Sequence, residues 1–74
     1  MNFEQLAAFS KVAEVKSFSQ AAVLLNITQS ALSKQIINLE KELNLQLINR
    51  ENRRRIKLTD AGKQIQHYAA TILT

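Results

Sequence analysis

The strongest constraint on this chain is a break inside an apolar run. Residues 20–36 read QAAVLLNITQSALSKQI, so a stretch that could form one buried helix is interrupted by Asn26-Ile27-Thr28 and then restarted at once. Ser19 and Thr28 each offer a side-chain oxygen to the open amides of a following turn. Phe18 and Ile27 precede them at the spacing of a hydrophobic staple onto Val23 and Leu32. Two capped starts nine residues apart define two helices. Asn26 supplies the left-handed conformation that the tight turn between them needs.

Little else opposes helix, because the 74 residues include no proline and one glycine. Phe3, Leu6, Phe9 and Val12/Ala13 recur at helical spacing and predict an amphipathic first helix over about 3–15, ended by Lys16-Ser17-Phe18. The second helix runs from Gln20 to about Leu25. The third carries Leu32, Ile36, Leu39 and Leu43 on one stripe, with Asn44 closing it in left-handed geometry and Leu45 folding back toward Leu39. The period then changes. Residues 45–50 and 55–58 read as two short strands around Glu51-Asn52-Arg53-Arg54, with Ile56 and Leu58 inward and Arg55 and Lys57 outward. Thr59-Asp60 opens a last helix in which Ala61, Ile65, Tyr68 and Ile72 follow heptad-like spacing.

A chain of about 60 to 80 residues buries roughly 60% of its unfolded surface, so one small core and no large cleft are expected. Without cysteine there is no disulfide framework and no thiolate zinc site, and a single histidine leaves little for metals; no cofactor is expected. The start, Met1-Asn2-Phe3-Glu4, lacks a secretory leader, and the longest apolar run, Ala21 to Leu25, is far short of a membrane span. A soluble, cytoplasmic protein with no membrane partner is the expectation. The net charge of +4 is concentrated: residues 1–25, 26–48 and 59–74 each sum to zero, and residues 49–58 carry five basic side chains against one acidic. A local basic stripe on a neutral domain is the footprint of a polyanion, and the alternative is a solvated charged loop.

On a helical wheel the third helix sets Leu32, Ile36, Leu39 and Leu43 against Ser30, Lys34, Ile37 and Lys41, with Ser33 on the flank. Serine is a mediocre helix former, and a plain solvent face would carry more Glu and Lys. A helix entering a major groove needs short side chains that let its backbone approach and hydrogen-bonding groups that match base edges. Gln29, Ser30, Ser33 and Lys34 meet both needs. With apolar anchors at Ala22, Ile27, Leu32 and Ile36, residues 18–37 describe a helix-turn-helix. The basic hairpin after it then reads as a wing, laying Arg53, Arg54 and Arg55 along phosphates or into a minor groove.

These elements occur in an order that resembles the N-terminal DNA-binding domain of LysR-type transcriptional regulators. The marks are "F..VAE..SFS.AA..L", "TQSALSKQI..LE..L", "L..R" at the strand start, and "LT.AG" opening a linker helix. The likeness covers nearly the whole chain. It implies a mainly α fold: a winged helix-turn-helix with a three-helix core and small β-hairpin wing over residues 1–58 (wing about 46–58), then the start of a linker helix over 59–74. It implies sequence-specific binding of double-stranded DNA at an interrupted dyad. Base and phosphate contacts would come from Thr28, Gln29, Ser30, Ser33 and Lys34, backbone contacts from Arg50, and wing contacts from Arg53 or Arg54. The last helix would pair with its twofold mate in a homodimer through Ala61, Ile65, Tyr68 and Ile72. A small-molecule effector would act only through a C-terminal domain absent from these residues. Three positions depart from the family pattern: Asn44 replaces a usual Gly, Ile48 a usual Phe, and the wing lacks the common glycine.

Enzymatic function finds no support. His67 has no triad pattern around it, and Glu40 and Glu42 lie on different helix faces. The rival reading from another class is a winged-helix protein-interaction module without specific DNA binding.

Overall fold

The computed structural model describes residues 1–51 and 56–73. In chain order these form α1 (Phe3–Val15), α2 (Phe18–Leu25), α3 (Gln29–Leu43), β1 (Ile48–Asn49), β2 (Lys57–Leu58) and α4 (Asp60–Leu73). The first and third helices fall where apolar periodicity places them. A reciprocal cap that the sequence expectations do not include opens α1. The Asn2 side chain accepts from the Gln5 amide at 2.7 Å, and the Gln5 side-chain oxygen accepts from the Asn2 amide at 3.1 Å.

The start of α2 differs from expectation. Its cap is Ser17, whose Oγ accepts from the Gln20 amide at 3.2 Å, while the Ser19 hydroxyl lies 3.1 Å from that of Ser17. Phe18 is therefore the first helical residue, and its expected staple partner Val23 stays 78% exposed. Either serine offers the same capping oxygen. The earlier start adds Phe18 to the stripe of Ala21, Ala22 and Leu25, all of which pack in or against the core, so burial selects it.

Three helices end in a left-handed residue: Lys16, Asn26 and Asn44, with φ of 55°, 59° and 54°. At Asn44 the Leu45 amide donates to the Glu40 carbonyl at 3.1 Å and the Asn44 amide to that of Lys41 at 3.2 Å. The same pair of bonds closes α2, from Ile27 to Ala22 and from Asn26 to Val23. This two-bond closure is how a chain without glycine at either turn leaves a helix. The backbone folds back after α3 as expected, but the Leu45 side chain does not reach a buried site and remains 46% exposed.

The core is made by Phe9 and Val12 of α1, Ala21 and Ala22 of α2, Leu32, Ile36 and Leu39 of α3, and Leu47 and Ile48 at the wing. The first strand is shorter than expected. Pairing is antiparallel and, among the described residues, joins Ile48 to Leu58 and Asn49 to Lys57. Leu47 and Ile48 are adjacent yet both buried, so the alternation of a half-exposed strand fails there. Ile56 and Leu58 pack against the core and Lys57 is exposed, as expected. The remaining turn and strand residues expected there, Asn52 to Arg55, lie outside the described residues.

Two contacts fix α4 onto this hairpin. The Thr59 hydroxyl caps α4 by accepting from the Gly62 amide at 3.0 Å and donates to the Gln46 carbonyl, while the Thr59 amide donates to the Leu47 carbonyl at 3.0 Å. Gly62 then sits directly on the Leu47 peptide: a Cβ there would lie 2.1 Å from the Leu47 carbonyl oxygen. Only a residue without a side chain permits that approach.

The brace on the other side is Glu40. Its Oε2 accepts from the Leu47 amide at 2.8 Å and the Ile48 amide at 3.3 Å, and Arg50 closes on both carboxylate oxygens, Nη1 at 3.1 Å and Nη2 at 2.8 Å. Burial alone would raise the Glu40 pKa. The bonds from Arg50, Leu47 and Ile48 and the Arg50 charge outweigh it and hold the carboxyl below its ordinary 4.5. Glu42, on a different face of α3, pairs with the Met1 amine and accepts from Gln5 at 3.4 Å, and hydrogen bonding from that amine lowers its pKa too.

Gly62→Ala should push α4 off the Leu47 peptide and destabilise the fold by about 1 to 3 kcal/mol, read as an earlier denaturant midpoint; an unchanged midpoint would contradict the close packing. Because the Glu40 pKa is lower folded than unfolded, its contribution is complete above about pH 4.5 and is lost as pH falls through the folded value. Unfolding free energy should therefore decline below about pH 4.5, and Glu40→Gln, less stable at neutral pH, should show a shallower acid decline; parallel curves would contradict this.

Candidate nucleic-acid interface

The candidate surface is the outer side of α3. Thr28 caps this helix by accepting from the Ala31 amide at 3.0 Å, and the three-residue connection Asn26–Thr28 fixes α3 against α2. Burial divides the helix sharply. Leu32, Ile36 and Leu39 are fully buried, and Gln29, Ser30, Lys34, Ile37, Asn38 and Lys41 are exposed, with Ser33 half-buried at the margin. This is the division the wheel predicts.

The polar side chains on that face are uncommitted. Among the described residues no hydrogen bond or ion pair engages the side chains of Gln29, Ser30, Ser33 or Lys34, whereas the Thr28 hydroxyl is used by its cap. From Gln29 to Leu39 the helix carries no acidic residue, and Glu40 and Glu42 beyond it are both paired with cations. The exposed face therefore offers donors and positive charge with no competing carboxylate, the condition for docking on a polyanion.

The other sequence-derived positions fall in three places. Arg50 stands at the edge of the hairpin, 43% exposed, with its guanidinium on Glu40. Arg53 and Arg54 lie outside the described residues. On α4, Ala61 and Ile65 pack partly buried against this domain's own core, while Tyr68 and Ile72 are 51% and 43% exposed. The inward stripe of α4 also includes Gly62 and the fully buried Ala69, so the heptad positions span both the packed and the exposed side of the helix.

Glu40 is the residue of consequence that sequence reasoning missed. Its partner Arg50 is ten positions away across a turn, and no helical or strand period links the two. Among the described residues no group of three His, Cys, Asp or Glu side chains is placed to hold a metal, and no helix is long and apolar enough to cross a membrane. His67 is exposed on α4, and its carbonyl accepts from the Thr71 hydroxyl at 3.2 Å.

Residues 3–63 match the family described as "Bacterial regulatory helix-turn-helix protein, lysR family". The nitrogen assimilation regulatory protein nac of Escherichia coli is 47% identical over 73 residues, covering 99% of this chain and 24% of that protein. The chain spans about a quarter of the length of the curated relatives it matches. Among solved structures, the BenM DNA-binding domain in complex with catB site 1 DNA superposes with a TM-score of 0.93 at 42% identity, over 99% of this chain and 81% of that one. Vibrio fischeri DarR in complex with DNA gives a TM-score of 0.87 at 40% identity, over 99% of this chain and 25% of that one. The fold is that of LysR winged-helix DNA-binding domains, and the chain belongs to the LysR family of bacterial regulatory helix-turn-helix proteins.

Proposed function

We propose that this chain is the sequence-reading end of a transcription regulator. It binds double-stranded DNA with the first turns of α3 in a major groove and the basic wing on backbone or minor groove. The observation that carries this reading is the outer face of α3, where Gln29, Ser30, Ser33 and Lys34 are uncommitted, short or flexible, and opposed to a fully buried stripe. The two likenesses to proteins whose structures hold DNA support it. In this proposal Thr28 joins the base and phosphate contacts at the helix start, Arg50 contacts the backbone, and Arg53 or Arg54 makes the wing contact.

Residues 1–58 form the reading unit in this proposal, and residues 59–74 begin a linker helix that pairs two copies over an interrupted dyad. The exposed Tyr68 and Ile72 support that pairing, since α4 leaves them uncovered while its inner side is used by the core. The chain spans about a quarter of its curated relatives' length, so effector sensing is assigned to sequence outside these 74 residues, and a DNA-bound regulator works in the cytoplasm.

Duplex affinity should fall steeply with salt, with a log–log slope of about −0.9 per phosphate neutralised. Lys34→Ala should cost about 1 to 3 kcal/mol of discrimination between a selected site and scrambled competitor, with the salt slope little changed. Arg54→Ala should weaken all duplexes alike and flatten the slope. A flat salt response without site preference in the unsubstituted chain would instead favour a protein-interaction module.

Ile72→Asp should lower dimer occupancy in sedimentation and weaken binding to a two-half-site duplex while leaving circular dichroism unchanged. Ile65 is a poorer probe, because it packs against the core. Unchanged sedimentation would exclude α4 as the pairing surface.

A further inference from the structure

Arg50 is exposed, yet the structure gives most of its donors to the protein itself. A guanidinium has five N–H donors. Two of them point end-on at Glu40, from Nη1 to Oε2 at 3.1 Å and from Nη2 to Oε1 at 2.8 Å, and Nη1 also donates to the Ile48 carbonyl at 3.4 Å. Among the described residues nothing engages the remaining donors, Nε–H and the outer Nη2–H. These share one edge of the guanidinium plane, and a side-on pair of that kind matches two oxygens of a phosphate.

Glu40 is equally committed. It is 11% exposed against 43% for Arg50, and the same Oε2 accepts from the Leu47 and Ile48 amides. One carboxylate on α3 thus sets both the path of β1 and the orientation of the arginine that leaves it. Arginine side chains are long and rotamer-rich, so an unbraced one loses conformational entropy when it docks. An arginine already clamped end-on loses much less.

We propose that Glu40 is a positioning residue for DNA binding, which clamps Arg50 end-on so that its free Nε/Nη2 edge meets one backbone phosphate in register with α3. This rests on the DNA-binding reading above. It makes the Glu40–Arg50 pair a pre-oriented phosphate contact, and Glu40 acts without touching DNA.

The test is a double-mutant cycle in the whole chain, with Glu40→Gln, Arg50→Ala and both together, each checked for folding by circular dichroism and titrated with a selected duplex over a range of salt. Arg50→Ala should flatten the log–log slope by about 0.9, the value for one phosphate. Glu40→Gln should weaken binding by about tenfold, the size of one charge-assisted contact, and flatten the slope by a similar amount. In the Arg50→Ala background it should have no further effect. A role confined to folding would instead lower affinity equally in both backgrounds and leave the slope alone, and that result would overturn the proposal. If Glu40→Gln does not fold, Arg50→Lys decides: it keeps the charge but cannot hold Glu40 and present a second edge, so a slope and affinity equal to the unsubstituted chain would overturn the proposal and a loss of both would support it. Salt-insensitive binding by the unsubstituted chain would remove the DNA-binding reading itself, whereas normal binding with an unaltered Glu40→Gln slope removes only this inference.

Discussion

The burial of one stripe of α3 is the constraint on which the rest depends. Leu32, Ile36 and Leu39 are fully enclosed by α1, α2 and the wing. Each such side chain contributes about 1.5 to 3 kcal/mol on leaving water. Ser30, Ser33 and Asn38 cost a fraction of a kcal/mol apiece in helix propensity, at most about 0.7. Packing therefore outweighs propensity several-fold, and the outer face is free to carry side chains chosen for something other than helix stability. Rotation of α3 by one residue would bury Ser33 and Ile37 and turn Leu32 out, so the same core contacts that hold the helix also aim its polar face.

The hairpin shows the opposite balance. Among the described residues two pair with two, too little for an independent strand pair in water. It persists because neighbouring elements hold its backbone. Glu40 takes the Leu47 and Ile48 amides from one side, and the Thr59 hydroxyl and amide take the Gln46 and Leu47 carbonyls from the other, with Gly62 packed on the Leu47 peptide. The wing is thus an appendage of α3 and α4, and its position relative to the α3 face is set by polar groups at specific distances. Arg50 ends that series and carries its charge to the edge of the surface.

α4 has one side that meets the domain and one that does not. Gly62, Ile65 and Ala69 face the domain, and Tyr68 and Ile72 do not. A heptad-like repeat read from sequence gives one stripe, yet a helix that both docks on a core and offers a surface needs two. Ala61 and Ile65 are partly buried against the core, and Tyr68 and Ile72 are more exposed, a difference that spacing alone does not give.

What the sequence determined by itself is the helical framework and its punctuation. Apolar residues at helical spacing, Thr28 as a cap, and Asn26 and Asn44 as left-handed stops are local signals, and each acts within one or two turns of its own position. The outer face of α3, with Gln29, Ser30, Ser33 and Lys34, was legible for the same reason, because a helix converts spacing into direction. Tertiary structure alone decided which serine caps α2, since Ser17 and Ser19 are locally equivalent and the burial of Phe18 separates them. It also decided the register in which Ile48 and Asn49 meet Leu58 and Lys57, why position 62 must be glycine, and that Glu40 holds Arg50. These rest on groups far apart in sequence that meet only after the helices pack, and no period along the chain encodes a hydrogen bond across a turn.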